Sequence, residues 1–167
     1  SDYGKGGLAN VVEMIGAAKK RNVPVVVDPK GGDFTRYWGA TVVTPNRQEF
    51  ESITGVAANS PQFAQAAAEL VESAGLEGLL VTLGADGMIL FLANGDVIRQ
   101  EARVREIYDV SGAGDTVVAV IAVAIGLKLD WTLSLELATR GASAVVGRFG
   151  TSVVKLADLQ NLEVGRI

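Results

Sequence analysis

The segment Val110-Ser111-Gly112-Ala113-Gly114-Asp115-Thr116 places small residues, a carboxylate and a hydroxyl at the start of a long apolar run. That run, residues 116–127, predicts a buried helix, so the backbone N–H groups of the segment become the unpaired donors of its first turn. Such donors and the helix dipole together favour an anion. The glycines at 112 and 114 predict a backbone that bulkier residues adopt poorly and that a ligand can approach closely.

Asp115 is the unexpected member of this anion site. A carboxylate repels a phosphate, so its presence is explained if it accepts a proton from the group that attacks the phosphate. The alternative is an ordinary acid in a first helical turn, stabilised by ~0.3–1 kcal/mol through the dipole. That alternative explains the acid but not the two glycines, and the segment therefore indicates a phosphate site with a general base.

The composition narrows the chemistry that the chain can perform. With 167 residues, 49% of them hydrophobic, and a net charge of −4, the chain can form one sizeable core. It contains no cysteine and no histidine, which excludes disulfides, thiolate zinc sites and imidazole bases. The acidic balance argues against nucleic acid as a partner. Since neither a long apolar run nor a signal peptide is evident, we expect a cytoplasmic protein that does not contact a membrane.

Helical periodicities alternate with short β-branched runs along the rest of the chain. The expected helices cover residues 8–21, 46–54, 62–74, 113–127, 131–147 and 155–161, and the expected strands cover residues 23–28, 41–43, 78–83, 88–92 and 96–100. This order predicts an α/β layer fold with a mainly parallel sheet. The Asn94-Gly95 turn predicts that the last two strands form a hairpin.

Ligands of such sheets bind at the carboxyl ends of the strands. The loops that follow strands are therefore the candidate binding loops, namely residues 28–33, 44–46, 82–87 and 109–115.

Two of these loops carry motifs that resemble a known family. Asn46-Arg47-Gln48-Glu49 and, downstream, Asp109-Val110-Ser111-Gly112-Ala113-Gly114-Asp115 together resemble the ribokinase-like (PfkB) sugar kinases. Within that family the amino-acid sequence is most similar to the D-glycero-β-D-manno-heptose-7-phosphate kinases, which form the kinase half of a bifunctional heptose kinase/adenylyltransferase. Segments that carry this similarity include 1–6, 28–31, 106–110 and 147–152.

The resemblance covers nearly the whole chain and implies a ribokinase-like three-layer sandwich. Because such kinases are about twice as long, it implies that residues 1–167 are the C-terminal portion of a single kinase domain. The N-terminal half, with the lid and most sugar contacts, would then lie outside this sequence. The resemblance also allows a homodimer and a covalently linked adenylyltransferase domain.

The resemblance assigns a role to the glycine-rich segment. Asp115 would take the proton of the sugar hydroxyl as that hydroxyl attacks the γ-phosphate of ATP. The backbone N–H groups of Gly112, Ala113 and Gly114 would hold the charge on the transferred phosphoryl group.

Further positions follow from the same resemblance. The motif of Asn46, Arg47, Gln48 and Glu49 would bind ATP, with Glu49 organising Mg²⁺ through water. A capping box predicts the Asn46 and Glu49 pair for purely local reasons, so both interpretations stay open. For the remaining nucleotide positions, the plain alternative is a glycine turn in the 82–87 loop and a solvated side chain at Lys30. These positions are Thr82, Gly84, Gly87, Lys30 and Gly147.

The function implied is an ATP- and Mg²⁺-dependent sugar kinase. It would phosphorylate the anomeric hydroxyl of D-glycero-β-D-manno-heptose 7-phosphate to the 1,7-bisphosphate, a step of lipopolysaccharide core biosynthesis. Another ribokinase-like sugar or nucleoside kinase is the alternative within enzymes. A catalytically incomplete fragment that binds nucleotide is the alternative of a different class.

Overall fold

A computed structural model describes residues 1, 6–31, 33–103, 110–150 and 152–160. Its helices are α1 (Val11–Lys19), α2 (Arg47–Thr54), α3 (Phe63–Ala74), α4 (Ala113–Gly126), α5 (Trp131–Val146) and α6 (Leu156–Gln160). Its strands are β1 (Val26–Val27), β2 (Val42–Val43), β3 (Gly78–Thr82), β4 (Met88–Leu92) and β5 (Val97–Gln100). Short 3₁₀ turns lie at Phe34–Tyr37 and Gly84–Asp86.

Every expected helix and strand has a counterpart. The first strand is shorter than expected, because Pro24 has no N–H to donate to a ladder and the Val25 N–H donates instead to Thr41 Oγ1 at 2.8 Å. None of the helices within the described ranges is both long and apolar enough to span a bilayer.

The five strands form one sheet in the order β1-β2-β3-β4-β5. β1, β2 and β3 are parallel, whereas β3, β4 and β5 pair antiparallel. The sheet is therefore mixed, since the short connections between the last three strands permit only hairpins. The parallel part brings the carboxyl ends of β1, β2 and β3 to one edge, as the sequence predicts for a ligand site.

Side chains of the sheet alternate between two apolar layers. Val43, Leu79 and Val81 pack on the side of α1 and α3, where they meet Phe50 and Phe63. The other face carries Val42, Leu80 and Leu90, which pack against Ile121 of α4 and Leu135 of α5. The period of two along each strand thus builds a helix–sheet–helix sandwich.

Gly141 lets α5 approach the start of α4. A Cβ added at Gly141 would lie 3.1 Å from Thr116 Cγ2 and 3.3 Å from Val120 Cγ2, closer than side chains normally pack. The glycine therefore allows the close crossing that fixes the first turn of α4 against its neighbour, and that turn carries the glycine-rich segment.

Candidate functional site

The carboxyl ends of β1, β2 and β3 bring the predicted binding loops together. Residues 28–30 follow β1 and Asn46 follows β2. Thr82, at the end of β3, donates its N–H to the Pro45 carbonyl at 3.0 Å and forms a bridge with Asn46. The edge of the sheet thus presents polar side chains from three consecutive strands.

The start of α2 forms the predicted capping box. Asn46 Oδ1 accepts the Glu49 N–H at 3.0 Å, and Glu49 Oε2 accepts the Asn46 N–H at 2.8 Å. This local arrangement fixes the Glu49 side chain with one oxygen committed to the backbone. The second oxygen, Oε1, points to the neighbouring loop.

Lys30 connects two carboxylates at this edge. Its Nζ lies 2.5 Å from Glu49 Oε1 and 3.9 Å from Asp28 Oδ1. Burial raises the pKa of Asp28, the Lys30 ammonium opposes that rise, and the Glu49 carboxylate adds to it. Asp28 received no role from sequence reasoning, although an acid directly after a buried strand is the signal that could have drawn attention to it.

The first turn of α4 differs in part from the expectation. Gly112 caps the helix with φ +82°, a conformation that favours glycine, whereas Gly114 is helical and needs no such freedom. The expectation of a special backbone at Gly114 is therefore wrong. A Cβ added there would meet nothing within 4 Å, so the space beside it is open. The sequence predicts that the Ala113 N–H has no partner within the chain. In the structure this group donates to the Val110 carbonyl at 3.3 Å.

Asp115 lies in the same turn and is exposed. Its Oδ1 accepts the hydroxyl hydrogen of Ser1 at 2.9 Å, and Ser1 also contacts the Asp28 carboxylate. Ser1 thereby connects the start of α4 with the strand-end carboxylates. Residues 106–109, which contribute to the resemblance, lie outside the described part of the chain.

A cavity of about 180 Å³ lies between the 82–87 loop and the helices α4 and α5. Five predicted site residues from two segments that lie far apart in sequence line it: Thr82, Gly84, Gly87, Ala113 and Gly114. Val117, Ala142 and Val146 contribute apolar walls. The cavity therefore joins the loop after β3 to the helix that carries Asp115.

The sequence profile shared by the pfkB family carbohydrate kinases matches residues 7–157 of this chain. The chain belongs to this family. It is 46% identical over 160 residues to the bifunctional protein HldE of Hydrogenovibrio crunogenus, covering 96% of this chain and 33% of that protein. It is 43% identical to the bifunctional protein HldE of Proteus mirabilis, covering 99% of this chain and 35% of that protein. The chain thus spans about a third of the length of these curated relatives.

Solved structures agree on the fold. Arabidopsis thaliana ribokinase complexed with ribose and ATP aligns with a TM-score of 0.81 at 29% identity, covering 89% of this chain and 50% of that one. Phosphofructokinase-2 from Escherichia coli in complex with potassium aligns with a TM-score of 0.80 at 21% identity, covering 90% and 50%. The ribokinase-like fold is therefore confirmed for this pfkB chain, over about half of each neighbour.

The two glycines of the 82–87 loop in this pfkB chain occupy different surroundings, so glycine is explained differently at each position. Gly87 has φ +84°, and a Cβ there would lie 2.1 Å from the Gln100 carbonyl oxygen, so the hairpin itself requires glycine. Gly84 has φ +65° but faces open space, which suits a close ligand. Gly147 ends α5 and is exposed, while its neighbour Val146 lines the cavity.

Arg47 and Gln48 occupy the first turn of α2. Arg47 forms an ion pair of 2.6 Å with Asp86, which ties the motif after β2 to the loop after β3. Gln48 is exposed beside it. The ion pair links the two segments to which the family resemblance assigns nucleotide binding.

The donor set suits Mg²⁺ better than a metal with an all-protein cage. Among the described residues, no group of three or more acidic, histidine or cysteine side chains is placed to hold a metal ion. Mg²⁺ keeps several waters and takes one or two carboxylates together with substrate phosphates. Asp28 and Glu49, which approach the same ammonium, supply such a pair.

Proposed function

We propose that this chain carries the nucleotide site and the general base of an ATP- and Mg²⁺-dependent sugar kinase. Its substrate would be D-glycero-β-D-manno-heptose 7-phosphate, phosphorylated at the anomeric hydroxyl to give the 1,7-bisphosphate. The observation that supports it most is the position of Asp115, which stands in the first turn of α4 beside cavity-lining Gly114 and contacts Ser1 at the strand-end cluster. The identity of 42–46% to HldE proteins supports the choice of sugar.

Asp115 would accept the proton of the sugar hydroxyl as its oxygen bonds to the γ-phosphorus. The bond from that phosphorus to the bridging oxygen breaks, and ADP leaves with the electron pair. The first-turn N–H groups at Gly112, Ala113 and Gly114 would bind the equatorial oxygens. The Ala113 N–H would exchange its long contact with Val110 for the phosphoryl group.

Lys30 would bind the phosphates directly, and the strand-end acids Asp28 and Glu49 would do so only through Mg²⁺. Bound Mg²⁺ would neutralise charge on the β- and γ-phosphates. Glu49 would hold the ion through a water, because one of its oxygens already caps α2. Lys30 would move from Glu49 towards a phosphate, for which a flexible ammonium is suited.

The cavity beside α4 and α5 would hold the nucleoside. Thr82 and Gly84 line it directly, Gly87 shapes its loop, and Gly147 follows its last wall residue. Arg47 and Gln48 would contact the nucleotide from the start of α2.

The remaining partners belong to the same proposal. The relatives are about three times as long as this chain, so sugar contacts and a linked adenylyltransferase domain would come from further sequence. We place the reaction in the cytoplasm, where ATP and sugar phosphates are available, and the proposal also allows a homodimer.

The test compares this chain with a version extended upstream to the length of a complete kinase domain. ADP release is measured with heptose 7-phosphate, and with fructose phosphate and adenosine as competing acceptors. We expect the extended chain to turn over the heptose and the 167-residue chain to bind nucleotide with little or no turnover. Turnover of another acceptor without the heptose would replace the substrate, and absence of any turnover in the extended chain would refute the kinase assignment.

A further inference from the structure

The hydroxyl of Tyr37 binds the backbone of Lys30, the residue whose ammonium stands between the two strand-end acids. The Lys30 N–H donates to Tyr37 Oη at 3.3 Å, and Tyr37 Oη donates to the Lys30 carbonyl at 3.3 Å. One side chain therefore meets both backbone groups of a single residue, as a residue of an adjacent antiparallel strand does in a sheet. The loop after β1 is thus anchored by a residue that lies seven positions further along the chain.

The ring of Tyr37 is held in place by the core. Tyr37 is 1% exposed and belongs to the same buried cluster as Val11 and Ile15 of α1. Phe34 packs edge-on against it, with the ring centroids 5.8 Å apart and an interplanar angle of 82°. The Arg36 guanidinium lies 6.0 Å from the ring centroid. Because the ring is restricted in this way, its hydroxyl is a fixed partner for the loop.

Lys30 depends on a fixed backbone more than a shorter side chain would. Its Nζ lies 2.5 Å from Glu49 Oε1 and 3.9 Å from Asp28 Oδ1, and the side chain is 35% exposed. A lysine side chain is long and has many rotamers, so the place that its ammonium reaches follows from where the backbone is held. Directly after it the chain turns at Gly31, which has φ +82°. The Tyr37 hydroxyl holds the backbone just before this turn.

We infer that Tyr37 is a positioning residue for the phosphates of the bound nucleotide. It fixes the backbone of Lys30, and thereby the reach of the Lys30 ammonium. The inference rests on the proposed function, because it takes Lys30 to bind a phosphate. Since Tyr37 is 1% exposed, it acts through Lys30 and not by touching the ligand. Removing its hydroxyl takes away the partner of two backbone groups and loosens the loop.

The first measurement is amide hydrogen exchange in the ligand-free 167-residue chain. Tyr37→Phe keeps the buried ring and removes only the hydroxyl. The Lys30 N–H is expected to exchange about tenfold faster in Tyr37→Phe, because its acceptor is lost. Val71→Ala, a buried position of α3 in the same cluster, is the control, and it should lower the melting temperature while the Lys30 exchange rate stays within about twofold of the parent. An unchanged exchange rate in Tyr37→Phe would overturn the inference.

The second measurement is the affinity for ATP with Mg²⁺, by calorimetry, in a double-mutant cycle of Tyr37→Phe and Lys30→Met. Tyr37→Phe alone is expected to weaken ATP binding about fivefold. In the Lys30→Met chain the same substitution should change the affinity by less than about twofold, because the ammonium through which Tyr37 acts is gone. Val71→Ala should bind ATP as the parent does, which is also the result that a merely structural role of Tyr37 predicts for Tyr37→Phe.

Failure of the inference and failure of the proposed function give different results. Equal losses of ATP affinity with and without Lys30, or parental affinity in Tyr37→Phe, would overturn the role of Tyr37 and leave the proposed function standing. A parent chain that binds no ATP would overturn the proposed nucleotide site, and the phosphate role of Tyr37 with it. The affinity of the parent chain therefore separates the two failures.

Discussion

Lys30 and Glu49, which lie 19 residues apart in sequence, are joined by a contact of 2.5 Å between Nζ and Oε1. The same ammonium lies 3.9 Å from Asp28 Oδ1, so one cation stands between two carboxylates at the edge of the sheet. Two carboxylates that face the same position in this way would also suit a divalent ion. Lys30 therefore balances the negative charge of the two acids.

Replacing Lys30 tests this balance. Lys30→Met leaves Asp28 and Glu49 without their cation, so Mn²⁺ should bind more tightly in the absence of nucleotide. The same variant should raise the KM for ATP roughly tenfold or more through the lost phosphate contact. Lys30→Arg keeps the charge and is the control for both. Mn²⁺ affinity is measured by electron paramagnetic resonance, and an unchanged value in Lys30→Met would contradict the exchange of cations.

Asp115→Asn should remove the proposed base while keeping the size of the side chain. We expect kcat of the extended kinase domain to fall by about 10²–10⁴, with ADP affinity within about twofold of the parent. Glu72→Gln, an exposed acid on α3, is the matched control for charge. Near-normal turnover of Asp115→Asn would remove this residue from the reaction.

Two glycines of one loop should respond differently to alanine. The Cβ of Gly84→Ala meets open space, so only the positive φ lowers the free energy of unfolding, by about 1 kcal/mol. Gly87→Ala also places a Cβ 2.1 Å from the Gln100 carbonyl, so its loss of unfolding free energy should exceed ~2 kcal/mol. Urea unfolding of both variants measures the difference. Equal losses would show that the hairpin yields easily at residue 87.

Local features of this fold were predictable from sequence, and contacts between distant segments were not. The capping box needs only Asn46 and Glu49 three residues apart, and the helical period revealed α4 and α5. The pairing of Lys30 with Glu49 depends on which strands adjoin. The need for glycine at 87 depends on the register of β4 and β5.

Acid should weaken the attachment of α6 to Arg148, in the segment that follows α5. The hydrogen bond from Arg148, at 2.6 Å, and that from the Lys155 N–H hold the pKa of Asp158 below its usual 3.8. A lowered pKa of an acid contributes stability above the unfolded pKa, and that stability is lost as the pH falls through the folded pKa. Melting temperatures of the parent and Asp158→Asn should therefore differ near pH 6 and converge as the pH falls below about 3.8. A difference that stays constant with pH would contradict this role.

The ion pair between Arg47 and Asp86 should matter for binding more than for folding. Asp86 is 70% exposed and Arg47 is 36% exposed, and surface pairs of this kind contribute about 0–1 kcal/mol to stability. Arg47→Ala and Asp86→Ala should therefore each lower the unfolding free energy by less than ~1 kcal/mol. If the pair orients the start of α2 for the nucleotide, each variant should weaken ADP binding several-fold, and the double variant should lose no more than the more affected single one. Additive losses in calorimetric titrations would show that the two residues act on the nucleotide separately.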